Sequence, residues 1–422
     1  LLDRFEREVV PRSFHLPSPR YFGLMNPTPL PIAVFADALA AALNQNVAAW
    51  HHSPAATAIE AQVVRLLCRI CGLPAGAFGS LTSGGTLANT TGLKIALNEK
   101  VPEAGTEGLA NLARRPVFYA SSEAHFSIEK SANVLGLGTR GGYRRIPADG
   151  NSRANVGALV EMVAADRRSG LAPFCVVGVA GVTSTGVIDP LNDLADVAAE
   201  HGLWFHVDAA YGAGGLLSER LRPRYAGIER ADSITVDPHK WWYLPYPCGA
   251  ILTRDGAAGE RTFAAGDVYI PDTGRSIEFR HHGLEGSRSF RALKLWLAML
   301  HVGRKAYARM AEEQVALTER FVRELTADGE WEAVTPVDTA IASVRWGGHG
   351  GTEARHGRRS PLDAAQDRIV QRVTAKRRHW ISATTTCGVR AIRVMVISYL
   401  TRWEHLSELI GELREAAAAE AG

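Results

Sequence analysis

Ser233-Ile234-Thr235-Val236-Asp237-Pro238-His239-Lys240-Trp241 is the stretch that decides how this chain is read. Its first four residues have the make-up of a short buried strand, and Pro238 closes the run. A lysine therefore sits just past a strand end. About 30 residues upstream, Leu203-Trp204-Phe205-His206-Val207 forms a second strand-like run that ends in Asp208-Ala209-Ala210. An apolar strand that ends in an aspartate needs a partner for that charge. In sheets of α/β proteins, residues just beyond the carboxyl ends of the strands face the crevice where ligands bind. The spacing thus predicts that Lys240 and Asp208 meet at one site.

Working outward, short β-like runs alternate with helical ones up to about residue 255. The expected strands are 77–81, 117–120, 174–179, 204–207, 233–236 and 250–253, and the helical patterns between them are 87–98, 127–135, 156–167 and 191–201. That alternation predicts an α/β fold with a mostly parallel sheet flanked by helices. Before it, six prolines between Pro11 and Pro31 read as an extended arm. Helices are expected over 32–50 and 58–71, the second stopped by Gly72 and Pro74. Residues 289–325 have helical periodicity with few breakers. Strands at 339–344 and 391–396 and helices at 362–375 and 402–419 predict a smaller C-terminal α+β domain, and the Gly-, His- and Arg-rich residues 347–359 a surface loop. The expected division is an N-terminal arm and helix over 1–60, a large α/β domain over 61–300 and a small domain over 301–422.

Composition narrows the class. The chain has 422 residues, 46% hydrophobic and 22% charged, with a net charge of +3. That is a folded protein with no electrostatic reason to bind nucleic acid. No apolar run reaches about 18 residues, so no membrane span is expected. Leu1 opens the sequence and no charged-then-apolar leader follows, which with five scattered cysteines suggests a cytoplasmic protein. Leu1 also leaves the natural start open. Cys68-Arg69-Ile70-Cys71 lacks a second ligand pair at metal spacing and reads as two helix cysteines facing the core, so no metal is expected.

Thr82-Ser83-Gly84-Gly85-Thr86 follows an expected strand and opens a helix. Glycines permit close backbone approach, and a helix N-terminus offers free N–H groups to a phosphate, although such a stretch also reads as an ordinary turn. His125 follows another strand; its ring could stack on a flat cofactor or simply cap a helix, and His239 carries the same ambiguity. Thr183, in Val182-Thr183-Ser184-Thr185-Gly186, lies at the end of the strand that starts at Phe174. A lysine able to form a Schiff base and an aspartate able to keep a pyridinium nitrogen protonated together fit pyridoxal 5'-phosphate. No G-x-G-x-x-G follows the first strand, which argues against a nicotinamide cofactor.

With these residues in view the chain resembles the group II pyridoxal-phosphate decarboxylases, which act on glutamate, cysteine sulfinate, aromatic amino acids or 2,4-diaminobutyrate. The similarity runs from about Tyr21 to the C-terminal helix, through Met25-Asn26-Pro27-Thr28-Pro29, Ser53-Pro54-Ala55-Ala56-Thr57, Thr82 to Asn89, His125-Phe126-Ser127, His206 to Tyr211, Asp237 to Trp241, Ala292 to Trp296 and Ile392 to Ser398. The resemblance implies fold type I, with a seven-stranded-type sheet, and a homodimer whose active sites lie at the subunit interface. It implies that Lys240 forms the internal aldimine, Asp208 holds the ring nitrogen, Ala210 packs on the ring and His125 stacks on its other face. Gly84, Gly85, Thr86 and His239 would serve the phosphate, with Ser287 reaching the partner's cofactor and Thr183 beside the ring oxygen. Arg393 would take the substrate α-carboxylate, as suits a guanidinium, and Gln45 would face the substrate. Tyr269, 29 residues after Lys240, matches the mobile-loop tyrosine that returns a proton to the α-carbon.

Some positions depart from the family. Asp237 replaces a common asparagine, which puts negative charge near the phosphate unless a neighbour compensates. His51-His52 stands where diaminobutyrate-type enzymes have an acid, which argues against a basic substrate side chain, and His51 could read a polar or anionic tail. Ala48 and Ala49 lack the wall of aromatic-type enzymes. The expected activity is decarboxylation of an L-amino acid to its amine. The alternatives are aldehyde-forming oxidative decarboxylation on the same scaffold and a cofactor-binding protein without turnover.

Overall fold

The computed structural model describes residues 1–266, 277–347 and 360–421. Its centre is a seven-stranded sheet of β1 (Phe78–Thr82), β2 (Pro116–Ser121), β3 (Tyr143–Ile146), β4 (Ala172–Val179), β5 (Trp204–Asp208), β6 (Ser233–Val236) and β7 (Gly249–Thr253), ordered β1-β7-β6-β5-β4-β2-β3. Neighbours from β3 to β6 pair in parallel, and β7 runs antiparallel to both β6 and β1. β2, β5 and β6 are buried along their whole length, as strands covered on both faces must be.

Helices α1 (Leu2–Glu8), α2 (Pro31–Leu43) and α3 (Pro54–Ile70) precede the sheet. Its crossovers carry α4 (Gly85–Lys100), the short α5 (Glu103–Thr106), α6 (Phe126–Val134), α7 (Val156–Arg168) and α8 (Leu191–Glu200), and α9 (Ala258–Phe263) follows β7. After α10 (Ala292–Val302) and α11 (Arg304–Leu325) comes a four-stranded antiparallel sheet. It is built of β8 (Trp331–Ala333), β9 (Ile341–Trp346), β10 (Ser382–Thr386) and β11 (Val389–Met395), ordered β10-β11-β9-β8. With α12 (Pro361–Ala375) and α13 (Trp403–Ala421) it forms the smaller α+β unit, whose core joins Phe321 and Leu325 of α11 to Val344, Ile392, Ile369 and Leu409. No helix among the described residues is long and apolar enough to cross a membrane.

Two expected helices are shorter than their periodicity suggested. The one expected over 32–50 ends at Leu43, because Asn44 turns left-handed (φ 45°) and the chain beyond it is held extended by hydrogen bonds to residue 288. The one expected over 289–325 is two helices, broken where Gly303 takes φ 76°. β3, β8 and β10 were not expected as strands. β3 carries two arginines at its centre, β8 has three residues and β10 is Ser/Thr-rich and half-exposed, so none shows an apolar period. Cys68 and Cys71 are buried and free at the end of α3, and burial pushes the Cys68 thiol up to about 12. Residues 348–359 of the expected surface loop lie outside the described residues.

One buried ion pair ties three segments together. Arg288 and Glu60 have side chains 3% and 0% exposed and bond to each other. Arg288 also donates to Val47 O (3.1 Å) and Leu81 O (2.7 Å), while Glu60 Oε1 accepts from Leu81 N (3.1 Å). Main-chain bonds from Val47 N to Arg288 O (2.8 Å) and from Arg288 N to Asn46 Oδ1 (2.9 Å) complete the clasp. It fixes the segment after α2 and the one before α10 against the end of β1. Removing one member leaves the other as an unpaired buried charge, so Arg288→Ala or Glu60→Ala is expected to lower stability by about 3–5 kcal/mol. Urea unfolding checks this; an unchanged midpoint in both variants would show that the clasp is not stabilising.

Candidate active site

Because all strands but β7 share one direction, their carboxyl ends open onto one edge of the sheet. A cavity of about 350 Å³ lies there. Its lining comes from successive strand ends: Gly84, Gly85 and Thr86 after β1, His125 after β2, Gly181 and Thr183 after β4, Asp208 and Ala210 at the end of β5, and Asp237, His239 and Lys240 after β6. Ten of the residues singled out in the sequence thus have known positions around or beside one hollow.

The turn after β1 is an anion cradle by construction. Gly84 caps α4 without a side-chain hydrogen bond, so the first N–H groups of the helix have no side-chain acceptor. A Cβ on Gly85 would come within 2.7 Å of Asp237 Oδ2, and one on Gly249 within 2.6 Å of Gly84 Cα. Only glycines let the turn lie this close to β7 and to the β6 loop.

Asp208 is 5% exposed, and two donors face its carboxylate. Asn89 Nδ2 donates to Oδ2 (2.8 Å) and Ala210 N to Oδ1 (3.1 Å). Behind Asn89 the donors run in one direction. Asn89 turns its Nδ2 to Asp208, so its Oδ1, which can only accept, faces His206 Nε2 (3.1 Å), and that nitrogen carries the ring proton. Nδ1 of the neutral ring then accepts from Ser233 Oγ (2.7 Å), which itself accepts from Trp204 Nε1 (2.7 Å). The Asn89 NH2 also donates to Ser127 Oγ (2.9 Å). Burial holds His206 down to about 4, which keeps it neutral in this role.

His125 caps α6 and also lines the cavity. Its Nδ1 accepts the Ser127 backbone N–H (3.2 Å), which leaves Nε2 as the polar atom of the ring still available. Burial lowers its basicity, partly opposed by Asp208. Lys240 Nζ lies 3.0 Å from Asp237 Oδ2 and its side chain is 18% exposed. His239 Nδ1 accepts the Cys248 N–H (3.0 Å), and burial drives that ring to about 4. A carbonyl-reactive amine, a carboxylate for a ring nitrogen and an uncapped helix N-terminus in one hollow fit pyridoxal phosphate; the Asp237 carboxylate is the one group at odds with a phosphate.

Other expected residues lie elsewhere. Gln45 and Ser287 are at least partly exposed and sit on either side of the Asn46–Arg288 clasp, and His51 is exposed in a short 3₁₀ turn; none of them lines the cavity of its own chain. The segment carrying Gln45 is directed there by the Arg288 bonds, not by a helix. Arg393 stands one layer behind the wall, donating to Thr183 O (2.9 Å), Gly23 O (2.9 Å) and Ser382 Oγ (3.1 Å). Two of its five N–H groups are then left over. Tyr269 lies outside the described residues. Sequence reasoning assigned no role to Asn89 or Tyr246. Asn89 falls one helical turn after Gly85, a spacing that could have marked it. Tyr246 lines the cavity with its ring 4.2 Å from that of His239 and its hydroxyl bonded to Met25 O and Asn26 Nδ2 (both 3.1 Å), contacts that no local pattern encodes.

Residues 1–346 match the family described as the pyridoxal-dependent decarboxylase conserved domain. The chain is 31% identical to an aromatic-L-amino-acid decarboxylase of Bacillus atrophaeus, over 99% of this chain and 85% of that protein. It is 38% identical to an L-2,4-diaminobutyrate decarboxylase of Rhizobium meliloti over 64% of this chain and 54% of that one. The solved structure of Oryza sativa TDC with PLP and tryptamine superposes with a TM-score of 0.92 at 26% identity, covering 99% of this chain and 87% of that chain.

His206 and His239 are neutral in the folded protein down to about pH 4 but take up protons near pH 6.5 when unfolded. Between those values the unfolded chain binds more protons, so stability falls as pH falls through this window. Thermal unfolding followed from pH 7 to 4 is expected to show that decline, with a shallower slope in His206→Asn. Equal slopes would mean that His206 is not held neutral.

Proposed function

The chain belongs to the pyridoxal-dependent decarboxylases and is a pyridoxal 5'-phosphate-dependent carboxy-lyase, and on that premise we propose that it converts an L-amino acid to the corresponding amine and CO2 with Lys240 as the cofactor-bearing residue. The observation that carries this reading is the shared cavity: the Lys240 amine, the Asp208 carboxylate and the open N-terminus of α4 line one hollow. When bound, the cofactor supplies an electron sink for the α-carbon bond that breaks.

The protein's residues have separable tasks. The N–H groups at Gly85 and Thr86, with Gly84 allowing close approach, hold the phosphate, and His239 borders it. Asp208, which accepts from Asn89 and the Ala210 N–H, would hold a proton on the ring nitrogen. Ala210 and His125 would bound the two ring faces, and Thr183 would border the ring oxygen. Arg393, with two N–H groups to spare, takes the substrate carboxylate. Tyr269 returns a proton to the α-carbon. Gln45, His51 and Ser287 act on the cavity of a second copy, so the working unit is a homodimer. Their separation from the cavity of their own chain supports that assignment, as does the exposed apolar row Val34, Phe35, Leu39 and Leu43 on α2.

The test is product balance. Protein loaded with pyridoxal phosphate is incubated with the common amino acids, diaminobutyrate, cysteine sulfinate and dihydroxyphenylalanine, while CO2, amine, aldehyde and peroxide are followed together. Amine equal to CO2 is expected, with Lys240→Ala losing both and losing the borohydride-trapped cofactor. Aldehyde with peroxide would move the reading to oxidative decarboxylation; trapped cofactor in the Lys240→Ala protein would place it on another residue.

A further inference from the structure

Asp237 is the charge that the site does not explain. Its side chain is 2% exposed, and it lies between the lysine and the cradle that would take a phosphate. Oδ2 contacts Lys240 Nζ at 3.0 Å, whereas Oδ1 is buried with no hydrogen-bond partner. A carboxylate oxygen in that position has an unmet need for a donor.

The neighbours that could neutralise Asp237 are few. His239 Nε2 is 3.6 Å away, but its ring is neutral, with Nδ1 occupied by the Cys248 N–H. The Tyr246 phenol and the Cys248 thiol are both pushed up to about 12, chiefly by burial with Asp237 adding to it, so each stays protonated and uncharged. His125, Asp237's other titratable neighbour across the cavity, is likewise held toward its neutral form by burial. Lys240 is therefore the cation that balances Asp237, and Lys240 is the group that joins the cofactor.

We propose that Asp237 accepts the ammonium proton of Lys240 as the lysine joins the cofactor and keeps that proton in the loaded enzyme, so that it meets the phosphate as a neutral carboxylic acid. The inference rests on the assignment of Lys240 as the cofactor-bearing residue. The protons and bonds balance. Lys240 Nζ gives one proton to Asp237, its nitrogen forms a double bond to the cofactor's carbonyl carbon, and the carbonyl oxygen leaves as water with the two remaining nitrogen protons. Two anions packed in a dry site cannot both stay fully ionised, and the incoming phosphate raises the proton affinity of the nearby carboxylate. Once protonated, Asp237 becomes a donor to the phosphate instead of a repelling charge. Oδ1 lies toward the Gly84 and Gly249 backbone, where an added Cβ on Gly249 would approach it to 2.7 Å.

Infrared difference spectra of the protein before and after loading with pyridoxal phosphate test this, using unlabelled chain and chain grown with carboxyl-13C aspartate. Loading is expected to bring up a carboxylic-acid carbonyl band that shifts with the label, is lost in Asp237→Asn and returns displaced in Asp237→Glu. The absence of a label-sensitive band, or the same band in Asp237→Asn, would overturn the proposal. If Asp237→Asn does not fold, the Asp237→Glu displacement decides alone, and an undisplaced band assigns the proton to another aspartate. Borohydride trapping and peptide mapping on the same samples keep the two readings apart: cofactor on a lysine other than Lys240 would remove the premise, whatever the spectra show.

Discussion

Supplying donors to the buried carboxylate of Asp208 is the constraint around which the site is organised. An ionised group taken out of water costs several kcal/mol unless donors surround it. β5 brings the charge to its carboxyl end, β6 brings Ser233, β5 itself brings Trp204 and His206, and α4 brings Asn89. Each group in that series is fixed by the one ahead of it. The Asn89 amide turns its NH2 to Asp208, and its oxygen, which can only accept, settles the imidazole tautomer and then the hydroxyl. A substitution at Ser233, remote from the cavity wall, reaches Asp208 through two intervening side chains.

The Arg288–Glu60 clasp serves a different purpose. It binds no cavity residue directly, yet it joins the end of β1, which leads into the glycine turn before α4, to the segments that carry Gln45 and Ser287. In the proposed dimer one protomer's cradle and the residues it lends to its partner share a single rigid support. Arginine suits this position because its planar head spreads donors in fixed directions toward two carbonyls and a carboxylate, where a lysine's donors all leave one nitrogen.

Much of this was legible in the sequence, for identifiable reasons. Buried strands are continuous apolar runs, so β2, β4, β5, β6 and β7 stood out, and residues at or just past the ends of the parallel ones gave Lys240, Asp208, His125 and Thr183. The strands that escaped notice, β3, β8 and β10, are edge or half-exposed pieces that carry Arg, Glu and Thr. Helix breaks at Asn44 and Gly303 depend on a left-handed residue inside an otherwise periodic stretch, and only tertiary contacts decide whether such a residue ends the helix. Asn89 and Tyr246 were missed because their roles lie in contacts across 119 and 221 residues of sequence. The charge conflict at Asp237 was visible in the sequence; that His239 would be neutral, and so unable to relieve it, required the burial and the Cys248 bond.

The phase of α4 has one more implication. Gly85 opens this helix at the anion cradle, and Asn89, four residues on and about 6 Å along the axis, grips Asp208. Asn89 also bonds Ser127 and His206, so the helix can neither rotate nor slide without breaking three contacts. A single rigid rod thus sets the distance between the two ends of the hollow. On the proposed reading, an occupant whose phosphate and ring nitrogen are spaced differently from these two ends meets only one of them.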